Sequence, residues 1–350
     1  MRFDALTGFR AIAATLVFVY HNRKYWRAQM HPELLRFVNE LHVGVSMFFV
    51  LSGFLIAFTY ADKPIQSSSS YFKYFLVRVA RIFPLYWLIL IALALDPKFA
   101  ALKHPALTAS LLHGFSSKLN LNGLAQAWSL NVEMTFYALA PLLCLLQRKS
   151  LIWLISGLGL LFIFSFGIGQ IWTKINGNPL SFMVPLKFIL GSTFPGRFTE
   201  FLAGMLLASA IKNNNAWLQI PAKTWIGVIG ILLTTYLIGM FQPDIFHHGT
   251  DHPLGWAIHT FLLPIFIALA IAGLINENSF LQRILKSKWL VLMGNASFAF
   301  YLIHISYVNI RIRWWYLGPD RNFILLWIIS IALYWFIEKP IYSWVKSKIK

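Results

Sequence analysis

Cysteine is almost absent. Cys144 is the one cysteine in 350 residues, so no disulfide forms within the chain and zinc sites built on cysteine pairs are excluded. Near the end of an apolar run, Cys144 reads as a small buried side chain. Charge is also scarce: Asp, Glu, Lys and Arg together make up 12% of the chain, against 58% hydrophobic residues and a mean hydropathy of +0.64. That balance excludes an ordinary soluble domain and points to an all-α, polytopic membrane helix bundle. Acidic residues are the scarcest charge, 12 against 30 lysines and arginines, for a formal net charge of +18. In a membrane chain this excess reads as basic loops facing the anionic headgroups of the lipid bilayer and basic groups recruited for anionic ligands, with no nucleic acid as partner. A P-loop, a Gly-x-Ser-x-Gly elbow and an internal repeat are all missing, which removes the nucleotide-binding and serine-hydrolase readings those motifs would carry.

What is present begins in the first apolar run. Residues 11–20 have the length of a signal-peptide core, but Asp4 and Arg10 interrupt the approach and no small-residue cleavage site follows. The run is expected to remain as a first helix. About ten spans are expected, near 8–22, 43–60, 82–97, 130–146, 151–171, 197–211, 224–241, 255–275, 290–308 and 322–337. An even count places both termini on one side. A slight excess of Lys and Arg in the short loops, such as Arg148 and Lys149, makes that side cytoplasmic. The segment from Pro32 to Leu41 has Leu34, Leu35, Val38 and Leu41 at helical spacing, with Glu33, Arg36, Asn39 and Glu40 on the other face. It reads as a short interfacial helix. The stretch 61–72, with Ser67 to Ser70, reads as a flexible linker. A single transmembrane domain over 1–350, with no appended soluble domain, is expected.

Several polar residues interrupt the apolar spans. Arg10 and His21 are 11 residues apart, three helical turns, so they share a face ~16 Å apart along the axis. Ionisable groups at membrane depth are costly and read as functional. Arg78 and Arg81 share a face at the expected inner mouth of the third span. Arginine suits phosphate through its planar fork, although positive-inside anchoring accounts for the same pair. Ser129, Glu133 and Tyr137 are spaced by four and line one face. Arg197 and Glu200 open the sixth span, where they would also pair with each other, and Tyr301 and His304 lie in the ninth. The topology sets His21, Glu133, Arg197, Glu200, Tyr301 and His304 in an outer stratum and Arg10, Arg78 and Arg81 in an inner one. His247, His248, Asp251 and His252 imitate a metal site, but clustered loop histidines ordinarily line a polar surface, and no metal is expected.

At these residues the chain resembles the acyltransferase-3 family of integral membrane acyltransferases. The matching segments are Arg10 with His21, Phe48-Phe49-Val50-Leu51-Ser52-Gly53-Phe54, and Arg78-Val79-Ala80-Arg81-Ile82-x-Pro84. Further matches are Trp128-Ser129-Leu130-x-x-Glu133, Arg197-x-x-Glu200-Phe201-x-x-Gly204, Gly294-x-x-Ser297 with Tyr301-Leu302-x-His304, and Glu338-Lys339-Pro340. The resemblance implies an O-acetyltransferase of a bacterial inner membrane, of the surface-polysaccharide or O-antigen type. Such an enzyme moves an acyl group, usually acetyl, from cytoplasmic acyl-CoA (acetyl-CoA) to a hydroxyl of a carbohydrate acceptor at the outer face. On that reading Arg78, Arg81 and Arg10 meet the phosphates of coenzyme A. His21 serves as general base, and Glu133 orients its imidazole. Ser129, Arg197, Glu200, Tyr301 and His304 support the site or the sugar without an assigned role. Direct transfer and an acyl-histidine intermediate both fit. So does a different class, a transporter or flippase of a glycolipid or small anion, because buried His, Arg and Glu also build proton relays. An acyltransferase working on the inner face would require the opposite orientation.

Overall fold

The computed structural model describes residues 3–62, 65, 67–95, 104–244, 247–306 and 319–349. Its helices in chain order are α1 Asp4–Asn22, α2 Pro32–Asn39, α3 Gly44–Tyr60, α4 Ser68–Ala94, α5 Pro105–Ala109, α6 Trp128–Lys149, α7 Leu151–Asn176, α8 Leu186–Ser192 and α9 Phe194–Lys212. They continue as α10 Lys223–Met240, α11 Pro253–Ala257, α12 Leu263–Asn276, α13 Phe280–Leu285, α14 Lys288–Asn295, α15 Ser297–Ile303, α16 Pro319–Leu333 and α17 Lys339–Ile349. Among the described residues, seven helical segments are long and apolar enough to cross a membrane. The expected spans 8–22 and 197–211 are helical as α1 and α9 but fall outside those seven, because Asp4, Arg10, Arg197 and Glu200 interrupt their apolar runs. The expected ninth span is broken at Ala296 into α14 and α15, and its last two positions, 307 and 308, lie outside the described residues, as do positions 96 and 97 of the third.

Two local readings change for reasons of capping and burial. The serine run is not a linker: the Ser67 hydroxyl accepts from Ser70 N at 3.1 Å and caps α4. Ser68 to Ser70 therefore form a first turn, and α4 starts well before the expected residue 82, with Pro84 inside it. The amphipathic segment is indeed a helix, with Pro32 at its start and Leu35 and Val38 buried. Its polar face is only partly solvated, however: Glu33 is exposed, but Asn39 and Glu40 are 1% and 0% exposed.

Packing gathers Met1–Phe58, Thr199–Tyr301 and Leu317–Ile331 into one compact unit, and Thr59–Phe198, Leu302–Tyr316 and Ala332–Lys350 into a second. In the first, α1 packs against α13 and α14, and α10 lies along α12. The α3/α9 crossing is made by two glycines of the motif segments. A Cβ on Gly53 would stand 2.2 Å from the Phe201 carbonyl oxygen, and one on Gly204 would stand 2.1 Å from that of Val50. Small residues that let backbones touch are the usual device of helix association in lipid, where apolar burial offers little gain. Phe49 stacks on Phe201 beside this crossing, while Phe18, Phe300, Phe323 and Trp327 form a second aromatic knot. At the other end of α10, Glu277 accepts from Lys223 N at 2.7 Å and from Thr224 N at 3.0 Å, meets Lys223 Nζ at 3.1 Å, and so caps the helix from the end of α12.

In the second unit α4 packs on α6 and α17, and α6 on α7. Met183, Phe188 and Ile189 form a small core with Phe115, Phe162 and Phe166. The Tyr86 hydroxyl donates to Thr108 O at 2.6 Å, tying α4 to the connection that follows it. α7 is the least buried of the seven candidate spans, with Ile152 76% and Phe164 65% exposed. A helix apolar all round and open on its flank suits hydrocarbon rather than water.

Candidate functional site

His21 occupies the last turn of α1, three turns from Arg10 in the same unbroken helix. Its Nδ1 lies 2.9 Å from the Val17 carbonyl oxygen. A carbonyl only accepts, so Nδ1 carries the proton of the neutral ring and Nε2 keeps its lone pair. The local helix therefore sets the tautomer through the backbone carbonyl four residues back. The Arg10 guanidinium lies 5.9 Å from the Phe48 ring centroid, against the first of the motif phenylalanines in α3.

The second unit holds the other charged group. Tyr137 donates to Glu133 Oε1 at 2.5 Å, which realises the four-residue spacing on α6. Tyr74 donates to the Tyr137 carbonyl at 3.0 Å and so joins α4 to α6. Arg78 donates to Tyr74 O at 3.0 Å and lies 4.2 and 4.9 Å from the ring centroids of Tyr74 and Tyr60. Arg81, half-buried near the middle of α4, feels the charges of Glu133 and Glu338 and the Tyr137 hydroxyl. The expected separation of Arg81 and Glu133 into inner and outer strata thus does not hold. The early start of α4 lifts Arg81 away from the helix end and onto the same cluster as Glu133. Glu338, 7% exposed, closes a π-helical turn, Tyr334–Glu338, in the last motif segment; such turns re-aim a side chain within a helix.

The remaining expected residues are mostly buried. The Ser129 hydroxyl turns back to Gln126 O at 3.0 Å. Arg197, 6% exposed, donates to Gly191 O at 3.1 Å with its guanidinium 5.8 Å from the Trp128 ring. Glu200, Tyr301 and His304 are 1%, 7% and 1% exposed. Tyr301 meets Phe48 edge to face, 6.2 Å between centroids. Gln126 Nε2 donates to Leu302 O at 2.5 Å, two residues before His304.

A cluster that sequence reasoning did not assemble surrounds Tyr20, the neighbour of His21. The Tyr20 hydroxyl and His248 Nε2 are 3.1 Å apart. Glu40 Oε1 accepts from Gln242 Nε2 at 2.6 Å and from Gly249 N at 2.7 Å, while its Oε2 lies 3.6 Å from His42 Nδ1. The His42 ring is 5.1 Å from that of His248 and stacks on His259, which meets Ser46 Oγ at 3.2 Å. Burial, with the neighbouring His42 and Arg23 adding to it, holds the His248 pKa down to about 4. The loop histidines that imitated a metal site do not act together. His247 pairs with Asp244 at 2.9 Å, and His252 stacks on Phe241 and caps α11. One signal was in the sequence: Glu40 and His42 sit two apart immediately before the most apolar early helix, where a solvated pair has little room. His113 was also missed; it is 0% exposed, and burial lowers its pKa.

The comparisons with known proteins agree with this architecture. The family model described as an acyltransferase domain, the acyltransferase-3 family, matches residues 3–337. Acyltransferase MdmB of Streptomyces mycarofaciens is 26% identical, over 95% of this chain and 85% of its own length. The peptidoglycan O-acetyltransferase OatA of Listeria monocytogenes is 23% identical over 87% of this chain, and O-acetyltransferase OatA of Staphylococcus aureus 24% over 96%. The match spans about half of those two relatives, 49% and 56% of their lengths. No solved structure gives a significant match. A multi-pass helix bundle that carries buried His, Arg and Glu on its motif segments, and that this model covers almost end to end, belongs to the acyltransferase-3 family of membrane acyltransferases.

Proposed function

We propose that the protein is an O-acetyltransferase of the bacterial cytoplasmic membrane. It passes an acetyl group from cytoplasmic acetyl-CoA to a hydroxyl of a cell-surface carbohydrate. The observation that carries this reading is the tautomer of His21: a histidine held with Nε2 as acceptor, in the turn where α1 ends, is equipped as a general base. Nε2 takes the proton of the acceptor hydroxyl as its oxygen attacks the thioester carbonyl. The C–S bond then breaks, and the leaving thiolate takes the proton from the imidazolium, which restores the neutral ring. Positioned general bases contribute ~10²–10⁴-fold.

Arg78 fits the donor's phosphates. It donates one N–H to the Tyr74 carbonyl, and two tyrosine faces hold the planar guanidinium in place. Arg10 is a second anion contact, on α1. Arg81 balances Glu133, which Tyr137 steadies. Arg197, Glu200, Tyr301 and His304 stay supporting candidates with no assigned role. The names of the OatA relatives support transfer to a glycan of the cell envelope.

The test is mass spectrometry of surface polysaccharide from cells lacking the gene, cells with it restored, and cells with His21→Ala restored. An acetyl increment is expected with the intact protein and in neither other strain. Indistinguishable glycans in all three overturn the reading. An increment that survives His21→Ala, with that variant in the membrane at normal level, overturns the assignment of His21.

A further inference from the structure

We propose that Glu40, His42 and His248 form a binding site for a divalent transition metal, with Zn²⁺ as the fitting ion. One donor atom from each lies within 4.8 Å of the other two. The three come from segments far apart in sequence: Glu40 and His42 from the turn between α2 and α3, His248 from the connection between α10 and α11.

Two observations point to a ligand rather than to a merely polar patch. Glu40 is 0% exposed, and its Oε2 is buried with no hydrogen-bond partner; the Nδ1 of His248 is likewise buried and without one. Buried polar atoms left without a hydrogen bond are costly, and here both are atoms that ligate metals. The opposite atom of each group is held. Glu40 Oε1 accepts from Gln242 and from the Gly249 amide, while His248 Nε2 is engaged by the Tyr20 hydroxyl. Outer partners of this kind fix the tautomer and aim of metal ligands. In the tautomer whose Nε2–H donates to the Tyr20 hydroxyl, the lone pair of His248 sits on Nδ1, the ring nitrogen left without a hydrogen-bond partner. The Gly249 amide can reach Glu40 because the loop presses on α10 there: a Cβ on Gly249 would stand 1.8 Å from the Ile238 carbonyl oxygen.

Two imidazoles and one carboxylate suit Zn²⁺, and three protein donors leave a fourth position for water. A bound ion would neutralise the buried Glu40 and tie the 241–252 loop to the start of α3. This would fix the wall beside Tyr20, one residue from His21. The inference does not depend on the acyl-transfer reading, because metal content is measured without substrate.

The experiment uses the full chain, purified in detergent after growth with added zinc. Metal content is determined by plasma mass spectrometry, and Co²⁺ is then exchanged in and followed by its visible absorption. The expected result is close to one zinc per chain in the native protein, and for bound Co²⁺ the intense bands of a four-coordinate site. His248→Ala and Glu40→Gln should both lose the metal, whereas His247→Ala, at an exposed neighbour outside the cluster, should keep it. Native protein with no zinc above that of a control membrane protein, and no Co²⁺ spectrum on titration, overturns the proposal even if the variants fail to fold. Equal metal in native protein and His248→Ala overturns it as well.

Discussion

Gly204→Ala puts the α3/α9 crossing to a direct test. The added Cβ would stand 2.1 Å from the Val50 carbonyl oxygen and 2.5 Å from the Phe54 amide nitrogen. Ordinary contact begins near 3.4 Å, so the gap is short by 1.3 Å on the first atom. Both obstacles are backbone, and no rotamer change relieves them. The two helices must move apart, loosening the Phe49–Phe201 stack, whose centroids are 4.8 Å apart. Overpacking of this kind costs ~1–3 kcal/mol. Against it stands the gain of Ala over Gly in a helix, ~0.5–1 kcal/mol, so a net loss remains. Gly159→Ala in α7 isolates that gain, because a Cβ there meets nothing within 4 Å. Gly53→Ala sits on the same crossing, so the double variant should cost less than the two singles together, one displacement serving both. The assay is denaturant unfolding in detergent, with Gly159→Ala measured alongside. Gly204→Ala is expected to be less stable than the parent and Gly159→Ala equal to it or more stable. A Gly204→Ala midpoint at or above the parent's would refute the close-contact argument.

Three further outcomes are expected. Tyr137→Phe removes the 2.5 Å bond to Glu133; hydrogen bonds to charged groups contribute ~1.5–3 kcal/mol, so single-turnover transfer should slow by roughly tenfold to a hundredfold, with donor affinity unchanged if Glu133 serves the chemical step. Arg78→Ala should raise the KM for acetyl-CoA more than that for the acceptor, and a parallel rise in both would argue that Arg78 is a membrane anchor. Glu277 has a pKa below its usual 4.5: burial pushes it up, but hydrogen bonds from Thr224 and Lys223 more than offset that. A lowered folded-state value means that its contribution is present above about pH 4.5 and fades as pH falls through that value toward the folded pKa. Glu277→Gln should therefore lower stability at neutral pH and narrow the gap to the parent on acidification, as read by unfolding curves across pH 3 to 7.

The membrane class, the helical content and most of the span positions follow from composition and period alone. A run such as 151–169, apolar but for Ser156 and Ser165, reads as a lipid-facing helix on composition alone. The motif candidates stood out where charge meets an apolar run: Arg10 and His21 in the first, Glu133 and Glu200 near the start of theirs, and Arg81 by its spacing to Arg78 just before one. Their partners did not, because period says which face a side chain takes and nothing about what lies across from it. Glu40 looked solvated on its own helix, and only the return of the 241–252 loop, bringing Gln242, His248 and Gly249, buries it. The serine run looked flexible until Ser67 was seen to cap a helix whose early start carries Arg81 to Glu133. The tautomer of His21 is the intermediate case: the donor and the Val17 carbonyl are four residues apart and readable in principle, but only the folded geometry shows that the ring turns back to it. Local sequence sets what each segment must be in a membrane, and long-range packing decides which polar groups are made to share a site.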